Sequence, residues 1–212
     1  RLLRSTDCVI EHCHLGPRIA PAPGKYGWHA DLIEARGNSG IDFRFNTIGW
    51  AADGVFLFEG NKDWRIYGNV FAGTEEARGG KATRTHSSNP PNGPVYVYNN
   101  VFYRIQAGIS YGSGITGDAR NNVFYQTGHD SFGSLTHDYN YYFDCGADIK
   151  EEHKVTGDNP FVDAAKQDFR PRPDGPLVDA GAALPAPGAP GYSPAYERDF
   201  AGNPRPAGKA CD

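Results

Sequence analysis

Residues 95–102 read VYVYNNVF, residues 64–71 read WRIYGNVF and residues 117–124 read GDARNNVF. Two further octets fit the same frame, CVIEHCHL at 8–15 and IDFRFNTI at 41–48, and DYNYYF at 138–143 is a looser sixth member. Anchored on Cys13, Asn46, Asn69, Asn100 and Asn122, the steps are 33, 23, 31 and 22 residues. Two steps sit near 22 and the other two exceed it by about one loop, around residues 17–27 and 72–93. A period in this range marks a stack of supersecondary units.

The columns around the anchor alternate. Cys8, Ile41, Trp64 and Val95 stand five before it with Gly117, then Ile10, Phe43, Ile66, Val97 and Ala119 three before it. Leu15, Ile48, Phe71, Phe102 and Phe124 stand two after it. The intervening positions are mostly polar, so each octet reads as a strand with one buried face. Asn at the bend is able to hydrogen-bond to the Asn above and below and tolerates the left-handed turn conformation. A second strand is expected in each repeat at 31–35, 53–57, 81–85, 107–111 and 130–132, with Ile33, Val55, Thr83, Ile109 and Phe132 as its inward column. The step from Asp31 to Asp53 is again 22. Short strands, an Asn turn and inward apolar ladders at this period predict an all-β chain, a parallel β-helix of about six coils spaced about 4.8 Å apart.

These residues resemble the right-handed parallel β-helix superfamily of pectate-lyase-like type. YGNVF (67–71), YNNVF (98–102) and RNNVF (120–124) look like its Asn-plus-aromatic turn, and WHADLIE (28–34) and ADGVF (52–56) look like the strand starts of its carbohydrate-active members. The tail segments NPFVDA (159–164), QDFR (167–170), PLVDAG (176–181) and DFAGNPR (199–205) resemble the C-terminal Pro-rich extension of secreted bacterial members. The resemblance covers most of the chain and implies a right-handed coil. It leaves activity open, because the superfamily holds lyases, hydrolases, epimerases and non-catalytic binders.

Composition divides the chain in two. Gly (27) and Pro (16) form about a fifth of the 212 residues, with much of the Gly at expected turns and most of the Pro after residue 160. Residues 1–145 are assigned to the helix, and 146–212 to a charged loop followed by a Pro/Gly-rich tail packed on it. Phe161, Val162, Phe169, Leu177, Val178, Tyr192, Tyr196 and Phe200 in that tail need burial. Four Cys permit two disulfides or none; a Cys145–Cys211 bond would fasten the tail, while Cys8 and Cys13 read as buried free thiols. The chain has no Met and starts at Arg1 with a coil, so it is expected to be part of a longer protein, with an N-terminal segment or a partner covering the first coil. A net charge of −4 with unclustered basic residues argues against a nucleic-acid partner, and no apolar run is long enough to predict a membrane span.

The candidate chemistry lies on the second strand. Asp31 and Asp53 share a column one coil apart, Lys81 follows and Arg84 lies nearby. Glu34, Phe56 and Arg84 form the next outward column; Arg36, Phe58 and His86 form the one after. Paired acids share a proton, hold calcium or flank a base, and aromatic faces stack on sugars. In a lyase, Lys81 or Arg84 takes the proton while Asp31 and Asp53 hold calcium; in a glycoside hydrolase the two Asp are acid and base. The competing assignment is that strand-start Asp residues only cap turns. His29, Tyr111, His129 and Asp130, with His86, are placed at the mouth of this groove as substrate contacts, and His137-Asp138 is read as a second loop pair beside His129-Asp130; the His spacing matches no zinc signature, and scattered surface histidines are the alternative. A third set, Arg44, Arg65, Tyr67, Tyr96, Tyr98 and Arg120 with Asp42 and Asp118, is either a sugar platform or the surface on which the tail packs. The expectation is a secreted or extracytoplasmic protein that binds and degrades a polysaccharide, with calcium as a possible cofactor. The alternative is a non-catalytic surface or carbohydrate-binding module. An ice-binding face would need rows of Thr, and Thr is sporadic here. A tail covering the second-strand sheet would close the groove.

Overall fold

The computed structural model describes residues 1–16, 31–49, 52–73, 79–86, 89 and 93–205. Three parallel sheets wind along one axis. The first holds Leu2–Leu3, Ile33–Arg36, Asp53–Leu57, Gly79–Thr85 and Ile105–Ser110; the second holds Thr6–Glu11, Ser39–Arg44, Lys62–Tyr67, Val95–Tyr98, Gly117–Arg120 and Thr136–Asp138. The third holds His14–Leu15, Thr47–Ile48, Val70–Ala72, Val101–Tyr103, Val123–Tyr125 and Tyr141–Phe143. Five coils take one strand from each sheet in turn and the sixth takes one from the second and third, so the described residues of 1–145 form an all-β parallel β-helix of six coils.

The registers reproduce the sequence columns. Ile41 pairs with Trp64, Trp64 with Val95 and Val95 with Gly117, while Phe43, Ile66, Val97 and Ala119 follow in the same way. Ile41, Phe43, Trp64, Ile66, Val95, Val97 and Ala119 are all fully buried. On the third sheet Phe71, Phe102, Phe124 and Tyr142 stack in register, their neighbouring ring centroids 5.4, 5.0 and 4.9 Å apart. Opposite them the first sheet presents Gly54, Ala82 and Gly108; a Cβ on Gly108 would lie 2.5 Å from the Phe102 ring.

The Asn column is a hydrogen-bonded ladder. Asn46, Asn69, Asn100, Asn122 and Asn140 are fully buried, and each of the first four donates its Nδ2 to the Oδ1 of the next at 2.9–3.0 Å. The left-handed residue of this turn is not the Asn but the one before it: Phe45, Gly68, Asn99, Asn121 and Tyr139 have φ between 52° and 62°. The Asn side chain is thereby turned inward along the axis, where its amide is shielded from water. A second, shorter ladder, Asn38 to Asn61 (2.9 Å), marks the corner between the first and second sheets.

In the last coil the first sheet is reduced to a bridge between Ser110 and Ser131, so Phe132 follows Tyr111 rather than Ile109. The tail packs on the outside. Phe161, Ala164, Phe169 and Leu177 cover Tyr103, Tyr125 and Tyr141 on the third sheet; Leu184, Tyr192, Ala195 and Tyr196 cover Phe45, Tyr67, Tyr96 and Tyr98 on the second. Tyr67 donates to the Arg198 carbonyl (2.7 Å) and Ser193 to Asp42 (2.8 Å). The aromatic row on the second sheet is therefore packing surface. Val162, Val178 and Phe200 of the tail, expected to be buried, stay exposed. Cys145 is a free thiol, and Cys211, its candidate partner, lies outside the described residues. Cys8 and Cys13 are also free, but half-buried rather than buried, because they lie in the first coil, at the end of the stack.

Candidate functional site on the outer face of the first sheet

Period-2 alternation turns Glu34, Phe56 and Arg84 outward in one register row, with Arg36, Phe58 and His86 two residues further along. The second row stacks. The Arg36 guanidinium carbon sits 3.8 Å over the Phe58 ring centroid, and Phe58 lies 5.0 Å from the His86 ring at 28°. The first row does the same, with the Arg84 carbon 4.6 Å over Phe56, and the two Phe rings are 4.2 Å apart. Cation–π contact holds each guanidinium against an aromatic face. Phe56 and Phe58 are consequently covered, at 5% and 8% exposure. His86 Nδ1 accepts from the backbone N–H of Asn89 (3.1 Å), which leaves the neutral ring carrying its proton on Nε2.

Carboxylates tie the cations down. Arg36 donates to Glu34 (3.3 Å) and Glu59 (3.1 Å), and Arg1 to Glu34 (3.0 Å). Arg84 donates to Asp53 Oδ2 (2.9 Å), where the Asp53 side chain is 2% exposed and that of Arg84 26%. Lys81 stands beside Asp53 in register, and Asp31 precedes Asp53 by one coil, since Ile33 pairs with Val55. The chain thus brings Asp31, Asp53, Lys81, Arg84, Glu34, Phe56, Phe58 and His86 to one sheet.

Three expected contacts do not join them. Tyr111 is 3% exposed within the main core, and burial raises its phenol above the ordinary range. Asp130 is an edge cap: its carboxylate accepts from the backbone N–H of Gly108 (2.7 Å) and Ile109 (3.0 Å) and from Thr127 Oγ (2.6 Å), closing the sheet where the last coil has no full strand. Burial holds the Asp130 carboxyl above its usual range although these three hydrogen bonds pull the other way. His129 is exposed beyond that edge. His29 lies outside the described residues.

Arg36 completes the stack and stood in the outward column, but its role needs Phe58 beneath it, a contact between coils that spacing alone does not weigh. All the described hydrogen bonds from residues 157–205 to the helix go to the second and third sheets and their shared corner. No family model, no curated protein and no solved structure matches the chain.

Proposed function

We propose that the outer face of the first sheet binds an extended polysaccharide, in the manner of a secreted pectate-lyase-like β-helix protein. The observation that carries this is the division of the surface: the described part of the tail packs on the outer faces of the other two sheets, while the first carries guanidinium groups seated over aromatic rings. The Arg36 guanidinium, already oriented by Phe58, Glu34 and Glu59, offers its remaining N–H donors to carboxylates and hydroxyls with little ordering left to do. Successive coils present their side chains about 4.8 Å apart, a spacing that suits a linear, repeating ligand.

Cleavage is a second reading, favoured by the register of Asp31, Asp53 and Lys81. In it the pair of acids acts on the glycosidic bond or holds calcium beside Lys81 or Arg84, and calcium competes with Arg84 for Asp53. Affinity electrophoresis on acidic and neutral polysaccharides tests binding. Arg36→Ala with His86→Ala is expected to weaken retention by about tenfold while the fold persists, because these side chains lie on the surface. No retained polysaccharide, or retention unchanged in the double variant, sinks the reading. Reducing-end and unsaturated-uronate assays on the same panel, with calcium and with chelator, decide between cleavage and binding alone.

A further inference from the structure

The last coil ends in a set of groups that the polysaccharide face does not use. Asp138 closes the strand Thr136–Asp138, and Glu152 and His153 follow Glu151 in the segment packed against that coil. One ligand atom from each of Asp138, Glu152 and His153 lies within 4.8 Å of the other two. Asp138 Oδ1 is held by two backbone donors, Tyr139 (3.0 Å) and His153 (2.7 Å), which directs Oδ2 to His153 Nδ1 at 2.7 Å. The His153 ring is clamped over Tyr139, centroids 4.4 Å apart at 11°. Glu152 has no ion-pair partner among the described residues.

The backbone beneath these groups is rigid for an independent reason. Glu151, the residue before Glu152, has a fully buried side chain that accepts from Asn140 N (3.0 Å), Asn140 Nδ2 (2.8 Å) and Tyr142 Oη (2.7 Å). Two neighbouring residues on an anchored backbone therefore face a strand-end carboxylate. The nearby cations are engaged elsewhere: Lys150 and Lys154 pair with Asp148, and Arg120 with Asp118.

We propose that Asp138, Glu152 and His153 bind a divalent cation of the zinc class and so pin the capping segment to the last coil. One imidazole nitrogen and two carboxylate oxygens, with water completing a tetrahedron, fit zinc, whereas calcium asks for six to eight oxygens. The cation takes the place of the proton shared between His153 Nδ1 and Asp138. That proton leaves to solvent, so binding weakens as the pH falls and His153 protonates.

Isothermal titration of tag-free, chelator-stripped protein with zinc chloride tests this. The expected result is one saturable zinc per chain, a rise in melting temperature, and no comparable effect from calcium or magnesium chloride. Glu152→Gln and His153→Ala are each expected to weaken zinc binding by about tenfold or more. Glu152 is exposed, so Glu152→Gln leaves the metal-free melting temperature where it was. No saturable binding, or binding that neither variant changes, overturns the proposal.

Discussion

Asn100 makes four side-chain hydrogen bonds with no access to water: it accepts from Asn69 N (2.9 Å) and Asn69 Nδ2 (3.0 Å), and donates to Ile66 O (2.9 Å) and Asn122 Oδ1 (3.0 Å). Asn100→Ala leaves two buried donors of Asn69 unpaired. Each costs about 1–3 kcal/mol, so urea unfolding is expected to show a loss of about 2 kcal/mol or more. The Asn column was legible because only one residue type meets both halves of that bonding pattern. The left-handed residue before it was not, because His12, Phe45, Gly68, Asn99, Asn121 and Tyr139 share a backbone angle and no chemistry. Asp130 yields a second test. Its folded pKa lies above the ordinary carboxylate value, so the folded state binds more protons than the unfolded state just above that value. Stability therefore falls as pH rises through that window. Asp130→Asn keeps an oxygen for Gly108 and Ile109 and turns an amide toward Thr127. It is expected to flatten the fall between about pH 4 and the raised pKa; an unchanged pH profile of melting temperature would count against this assignment.

At the scale of elements, period-2 alternation with a 22-residue step placed Glu34 and Phe56 in one outward row, whereas Arg84 follows Phe56 by 28 residues, across a loop whose length the step does not fix. The same parity sends Tyr111 inward with Ala107 and Ile109, and its hydroxyl is what invited a surface role. The tail was legible only as a segment with apolar residues to bury, because no repeat relates it to the sheets. Its docking is now specific. The Tyr196 ring sits 4.7 Å from Tyr67 and 5.6 Å from Tyr98, and its hydroxyl donates to Gly191 O (2.7 Å). Tyr196→Ala removes a large buried ring at a cost of about 3–5 kcal/mol if nothing moves in to fill the space. Because the loss falls on the docking and not on the coils, limited proteolysis is expected to nick residues 184–205 first. The far-UV transition of the helix should shift much less. Loss of both together would mean that tail and helix unfold as one unit.

Across the whole molecule, two gradients run along the axis. Small residues on the first sheet face the Phe ladder of the third, which is why Gly108→Ala, with its Cβ 2.5 Å from Phe102, is expected to destabilise by about 1–3 kcal/mol. The second gradient is polar. In the main ladder each Asn donates toward the following coil, as from Asn46 N to Asn69 Oδ1 (2.9 Å) and from Asn122 N to Asn140 Oδ1 (3.0 Å). A ladder with this polarity needs a pure acceptor at its C-terminal end. The outer corner follows the same order, with Arg104 donating to Gln126 (2.9 Å) and Gln126 to Asp144 (2.9 Å). In the interior the terminating acceptor is Glu151, which no repeat column could reveal because it stands where the next Asn would be, on a segment outside the period. Glutamine at this position has one oxygen and one amino group. With its oxygen facing Asn140 Nδ2 and Tyr142 Oη, its amino group meets the Asn140 N–H, donor against donor in a site closed to water. Glu151→Gln is therefore expected to cost about 1–3 kcal/mol despite its near-identical shape. In a stack whose coils touch only their neighbours, that loss acts first at the end. Amide exchange should accelerate in Thr136–Asp138 and Tyr141–Phe143 and stay slow in Lys62–Tyr67. A variant as stable as the parent, or one whose exchange rises equally in every coil, would show that the ladder does not depend on a carboxylate to end it.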